Sequence, residues 1–176
     1  MASLGHIAVG MATARAYRDR GSRRPIAWAM LWWSFLAFLP DIDVVGFAFG
    51  IRYGEPWGHR GATHSLAFAV LLGAVIGAMA PAFGRPRIRT GVVAIAIIVS
   101  HGLLDTLTTG GLGCALLWPF DTTRYLAPWG IIPAAPIGFA FWTARGFSVA
   151  AIELALFFPL LAYALWPRRR RVEAGL

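Results

Sequence analysis

Long apolar runs interrupted by blocks of arginine restrict how this chain can fold more than any other feature of its sequence. Hydrophobic residues make up 58% of its 176 residues and charged residues only 14%, and the mean hydropathy is +0.64. A soluble domain of this length cannot bury so much apolar surface. The composition therefore predicts a single integral-membrane domain over residues 1–176.

The apolar runs predict an all-α, polytopic membrane protein with about four to five helices. The first run is short and rich in Ala, Gly and Met. The expected helices cover residues 3–16, 26–39, 65–84, 90–108 and 147–166. A further apolar run at residues 131–142 contains two prolines and is short for a span, so it is interpreted as interfacial or re-entrant.

Blocks of arginine lie beside these runs, at residues 15–24, 85–89 and 168–171. Such blocks mark the cytoplasmic side of membrane proteins. We therefore expect a multi-pass membrane protein, with its arginine-rich loops and C-terminus in the cytoplasm. The net charge of +8 is then a topology signal. Nucleic acid is not an expected partner, because no aromatic residues interleave with the basic ones.

All of the histidines lie in or near short polar motifs that interrupt apolar sequence. The motifs are Gly5-His6, Pro40–Asp43, His59–Ser65 and His101–Asp105. Ionisable groups at membrane depth are costly and mark functional sites. His101 follows Arg89 by twelve residues, which is about 18 Å along a helix. The topology thus places every motif toward the outer face, within one shared His/Asp cluster between the helices.

The residue types in this cluster point to a metal site. His101 and Asp105 are four residues apart, so they share one helix face. Asp41 and Asp43 repel each other unless a cation or proton lies between them. Nitrogen and oxygen ligands without a thiolate suit Zn²⁺ best here, with Mn²⁺ or iron as alternatives, and one or two ions. The candidate ligands are His6, Asp41, Asp43, His59, His64, His101 and Asp105.

Other polar residues are expected to support the metal chemistry. Arg60 is the candidate contact for a phosphate, and Asp41 or Asp43 could act as a base instead of a ligand. Thr63, Ser65 and Thr108 are candidates for orienting the ligands. Each motif also has a structural interpretation: a satisfied buried imidazole, a solvated Asp-x-Asp turn, or a capped helix with a snorkelling arginine.

Metal-assisted hydrolysis of a phosphoester is the function that these residues favour. The sequence has no Ser-His-Asp order, nucleophile elbow or Gly-rich phosphate loop. A metal-activated water with a nearby arginine suits phosphoryl transfer. Two alternatives stay open: a transporter or channel that uses the cluster as a proton or cation relay, and a non-catalytic membrane partner protein. The expected partners are the lipid bilayer and a small-molecule or lipid phosphoester, whereas the oligomeric state is left open.

At these residues the sequence resembles the YdjM-like family of LexA-regulated, inner-membrane metal-dependent hydrolases. The resemblance runs from residue 5 to about residue 120, and its most specific part is the His-Arg-Gly-x-Thr-His-Ser block at residues 59–65. The resemblance implies a metal-dependent hydrolase located in the bacterial inner membrane. The His-x-x-x-Asp element also looks like that of zinc-dependent phospholipase C, which implies a phosphoester substrate. Val44 departs from the pattern, because many relatives have a further histidine there.

Overall fold

The computed structural model describes residues 3–18 and 25–167. The regular secondary structure of these residues consists of helices, with no strand among them. The α-helices are α1 (Ser3–Tyr17), α2 (Ile26–Phe38), α3 (Leu66–Met79), α4 (Arg87–Thr106) and α5 (Ala144–Leu165). The all-α prediction is confirmed, and each expected helix is found within a few residues of its expected bounds.

Four helical stretches are long and apolar enough to cross a membrane: Ile26–Phe49, Leu66–Phe83, Arg87–Thr106 and Ala144–Leu165. At most 44% of any of these windows is buried inside the protein. Large apolar side chains cover the outer surface instead, with Ile88 80% and Trp28 70% exposed. Helices that are apolar on every side fit a lipid environment, so these stretches identify a multi-pass membrane protein.

The chain continues beyond α2 as a 3-10 helix over Leu39–Phe49, with Pro40 in its first turn. The α-helix ends at Phe38, one residue before the expected end at residue 39, and 3-10 turns continue from there as far as Phe49. The tighter turns bury Asp41 and Asp43, which are 2% and 7% exposed, while Ile42 between them is 56% exposed. The two carboxylates therefore both face the interior.

Helix α1 lies in the interior of the bundle, where it packs against α2, α4 and α5. Its buried positions are mostly glycine and alanine. A Cβ atom at Gly10 would collide with the backbone of Ser34 in α2. Small residues of this kind let membrane helices approach closely, and this packing places His6 in the protein interior.

The arginine-bearing ends of the helices gather at one end of the bundle. Near the end of α1, the Tyr17 hydroxyl lies 2.5 Å from Thr90 Oγ1 at the start of α4, and Arg15 Nη1 donates to the Ala164 carbonyl of α5 at 3.2 Å. Toward the other end, the His6 ring stacks on His101. The third arginine block, at residues 168–171, lies outside the described residues.

Residues 107–143 form an irregular segment beside the histidines. Isolated bridges pair Thr108 with Ile132 and Cys114 with Tyr125, and a 3-10 helix covers Gly138–Trp142. The run at residues 131–142 contains no α-helix. Its interfacial or re-entrant placement stays a prediction.

Glycines set the contact between α3 and α4, and this generates a stability prediction. A Cβ at Gly77 would lie 2.9 Å from Gly91 Cα, whereas the neighbouring Ala78 is exposed on the outer surface. We expect Gly77→Leu to cost about 1–3 kcal/mol of stability by overpacking and Ala78→Leu to change little. Thermal unfolding in detergent measures both, and equal melting temperatures for the two variants would contradict the close contact.

Candidate metal centre

Four buried side chains bring ligand atoms to one point, and we call them the inner cluster: Asp41, His64, His101 and Asp105. One atom of each lies within 4.8 Å of every other. Asp41 Oδ1 is 3.5 Å from His64 Nε2 and from His101 Nε2. The ligands come from the 3-10 helix after α2, the short 3-10 helix Ala62–His64 before α3, and α4.

Hydrogen bonds orient both imidazoles of the inner cluster. His101 Nδ1 donates to the Ala37 carbonyl at 2.7 Å, and His64 Nδ1 faces Asp43 Oδ2 at 3.2 Å. With Nδ1 used as the donor, each ring presents the lone pair of Nε2. The two Nε2 atoms lie 3.0 Å apart. Two lone pairs at that distance repel each other unless a proton or a metal ion lies between them.

Buried polar atoms without partners also fit a metal ion. Both carboxylate oxygens of Asp41 and both ring nitrogens of His6 are buried and make no hydrogen bond within the described residues. Each such atom costs about 1–3 kcal/mol. His6 Nε2 lies 3.3 Å from Asp105 Oδ1, and its ring is stacked 3.7 Å from that of His101. His6 is therefore adjacent to the inner cluster.

The charge balance of the site suits one divalent cation. Asp41, Asp43 and Asp105 supply three buried carboxylates, and the buried guanidinium of Arg60 lies 2.9 Å from Asp105 Oδ2. With neutral histidines, the site carries a net charge of −2. Burial would lower the pKa of His64, but the carboxylates of Asp105, Asp41 and Asp43 raise it to about 10. The pocket thus attracts positive charge.

Asp43 and His59 form a pair beside the inner cluster. His59 Nδ1 donates to Asp43 Oδ1 at 2.7 Å, while Asp43 Oδ2 accepts from the Thr63 hydroxyl at 2.7 Å and from the Arg60 backbone N–H at 3.0 Å. Asp43, His59 and His64 form a second group that could hold a metal. These hydrogen bonds nevertheless occupy both oxygens of Asp43.

Arg60 adopts a backbone conformation that lets it serve two carboxylates. Its φ is 64°, a left-handed value that costs on the order of 1 kcal/mol for a residue with a side chain. Its backbone N–H binds Asp43, its Nε faces Asp105, and its Nη1 donates to the Gly110 carbonyl at 2.9 Å. The expected phosphate contact of Arg60 stays a prediction, because these bonds engage the guanidinium within the protein.

The expected supporting hydroxyls have different positions. Thr63 contacts Asp43 and lies 3.1 Å from His64 Nδ1. Ser65 is the N-cap of α3, because its Oγ accepts from Phe68 N at 3.0 Å. Thr108 donates to the backbone carbonyl of Asp105 at 2.8 Å, near the end of α4. Thr63 thus touches candidate ligand side chains, whereas Ser65 and Thr108 bond to backbone groups.

Two residues that support the site had not been expected from the sequence. Arg124 donates to the carbonyls of His59, Gly113, Tyr53 and Glu55. It therefore ties the loop that carries His59 to the irregular segment after α4. In the sequence, Arg124 could have been noticed only as an arginine that lies apart from the three blocks.

Glu153 is the second unexpected residue. Its buried carboxylate accepts from Leu4 N at 2.6 Å and from Gly5 N at 3.4 Å. A carboxylate stabilises the exposed N–H groups at a helix N-terminus, so Glu153 fixes the start of α1 next to His6. An acid within the apolar run at residues 147–166 was the available signal.

The fold and the cluster define a multi-pass helical membrane protein whose buried His/Asp residues could hold a metal ion. The chain belongs to the YdjM inner membrane protein family, whose sequence profile matches residues 1–171. It is 42% identical over 144 residues to the inner membrane protein YbcI of Escherichia coli strain K12, covering 77% of this chain and 81% of the relative. No solved structure matches it. The expected family is confirmed, and so is an inner-membrane location.

The charge balance predicts the metal content of the purified protein. We expect about one divalent ion per chain and a strong loss of metal in Asp41→Asn, because the amide removes one of the three negative charges. Asp121→Asn is the matched control, since the Asp121 carboxylate accepts hydrogen bonds from Thr123 and Tyr125 in the irregular segment and is not a candidate ligand. Elemental analysis after reconstitution measures the content. Equal metal in the two variants would place the ion elsewhere.

Proposed function

We propose that this chain is a membrane-embedded, metal-dependent hydrolase of phosphoesters. The observation that carries the proposal is the inner cluster, with its facing imidazole lone pairs and the buried carboxylate oxygens of Asp41, which accept no hydrogen bond within the described residues. Asp41, His64, His101 and Asp105 would hold the ion, with His6 next to them. Zn²⁺ suits this mixed nitrogen and oxygen set, and Mn²⁺ or Fe²⁺ would also be accepted. When bound, such an ion supplies a Lewis acid that polarises a phosphoryl oxygen and acidifies water.

His59 is the proposed general base. Its Nδ1 proton is held by Asp43, so its Nε2 carries the lone pair that can accept a proton from water. Asp43 also stabilises the imidazolium that results, in the way a buried carboxylate supports a catalytic histidine. Asp43 is proposed as a positioning residue because its oxygens are occupied by His59, Thr63 and the Arg60 backbone.

The proposed substrate is lipid-linked. His64 lies two residues before the apolar stretch Leu66–Phe83, and Asp105 is the last residue but one of the stretch Arg87–Thr106. The site therefore lies near the ends of two spans, where the phosphate of a membrane-anchored substrate would lie. We propose that the guanidinium of Arg60 balances the charge of Asp105, which lessens the repulsion between this carboxylate and the phosphate of the substrate.

The orientation proposed here has the arginine end in the cytoplasm and the site toward the outer face, in keeping with the positive-inside rule. In a Cys114→Ala background we expect a cysteine at Thr122, which is exposed in the irregular segment, to react with a membrane-impermeant maleimide on intact spheroplasts. A cysteine at Pro86, exposed before α4, should react only after lysis. The opposite labelling pattern would reverse the orientation.

If the protein is a hydrolase, some variants should lose turnover but keep the metal, whereas others should lose both. With Zn²⁺- or Mn²⁺-loaded protein in detergent, we expect release of nitrophenol from bis(4-nitrophenyl) phosphate and cleavage of a phospholipid headgroup. His59→Gln should lower kcat by about 10²–10⁴ and keep the metal. Asp41→Asn should lose both activity and metal, and Asp121→Asn neither.

Two outcomes would contradict this proposal. Metal-loaded protein that cleaves no phosphoester, yet depends on its metal for thermal stability, would assign the ion a structural role. Metal- or proton-dependent ion flux in liposomes without hydrolysis would favour the transporter alternative.

A further inference from the structure

A cavity lies at the arginine end of the bundle, apart from the histidines. Its volume is about 410 Å³, which is within the roughly 300–1,000 Å³ range of ligand sites. Its walls come from the ends of α1 and α3 and the starts of α2 and α4. None of the seven candidate metal ligands lines it.

The walls of this cavity are aromatic and aliphatic, and they continue onto the lipid-facing surface. Trp28, Trp32 and Trp33 line one side, and Met79 and Phe83 line the other. Trp33 is buried, but Trp28 is 70% and Phe83 66% exposed. Because these outer walls belong to membrane spans, the cavity is a groove that opens sideways toward lipid.

The rim of the groove is cationic. Arg18 and Arg85 are among its lining residues. Arg85 and Arg89 lie over the ring of Tyr17, with guanidinium carbons 6.0 Å and 4.6 Å from the ring centroid. Within the described residues, the stretches 15–18 and 85–89 at this end of the bundle contain five arginines and no acidic residue.

We propose that this groove binds an anionic phospholipid, with an acyl chain along the tryptophan wall and the phosphate at Arg18 and Arg85. The two chemistries of the groove match the two parts of such a lipid. A transmembrane helix of a partner has no phosphate to contact the cationic rim, and a soluble anion has no apolar chain to contact the walls. Basic pockets between helices bind anionic headgroups in this way. This inference does not depend on the proposed hydrolase activity.

Native mass spectrometry of the full chain tests the proposal by counting retained lipids. We expect retention of phosphatidylglycerol over phosphatidylcholine of the same acyl chains. Arg18→Gln/Arg85→Gln should weaken phosphatidylglycerol retention about tenfold or more. Arg145→Gln should not, because Arg145 is an exposed residue at the start of α5, away from the groove. Equal retention of the two lipids, or no effect of the double variant, would overturn the proposal.

A groove-filling pair provides a second test that needs no arginine variant. Ala29 lines the groove, whereas Ala27 is exposed on the same helix and does not line it. We expect Ala29→Phe to displace the lipid and Ala27→Phe to retain it. If soluble glycerol phosphate competes as well as the lipid does, the site binds only the headgroup anion and the assigned occupant is wrong.

Discussion

The attraction between buried carboxylates and a positive charge is the interaction on which this structure depends. Asp41, Asp43 and Asp105 are all removed from water, and Arg60 supplies a single guanidinium against them. In a low-dielectric interior, uncompensated carboxylates would push the helices apart or take up protons. A divalent ion removes that conflict at once. The three carboxylates that give the interior its excess negative charge are therefore also candidate ligands for a metal ion.

The surrounding structure is arranged to hold the ligands at fixed angles. Glu153 caps the start of α1 beside His6, and Arg124 gathers four carbonyls around the loop that carries His59. Thr63 and the Arg60 backbone fix Asp43, which in turn orients two imidazoles. Such outer contacts set the basicity and direction of ligands. The site is thus supported by α1 and α5 and by two loops, as well as by the elements that supply its ligands.

Residue spacing was enough to predict the helices and the composition of the cluster. Apolar runs between arginine blocks gave the spans, and the shared topology placed His101 near Asp41. Long-range contacts were beyond the sequence. Arg124 acts on His59 across 65 residues and Glu153 on Leu4 across 149, and no local periodicity records such pairs. The sequence also could not show that both oxygens of Asp43 are occupied. One of their donors is the Arg60 backbone N–H, which belongs to a residue with a left-handed φ.

Pro40 has a consequence that reaches beyond the helix it begins. In 3-10 turns each N–H bonds to the carbonyl three residues back, so the partner of the Ala37 carbonyl would be residue 40. Proline has no N–H to offer, and the Ala37 carbonyl accepts from His101 Nδ1 instead. Pro40 has no ligand atom of its own, yet it leaves this carbonyl to the Nδ1–H tautomer of His101, whose Nε2 faces the cluster. The missing backbone N–H at residue 40 therefore affects which ring nitrogen of His101 carries the proton.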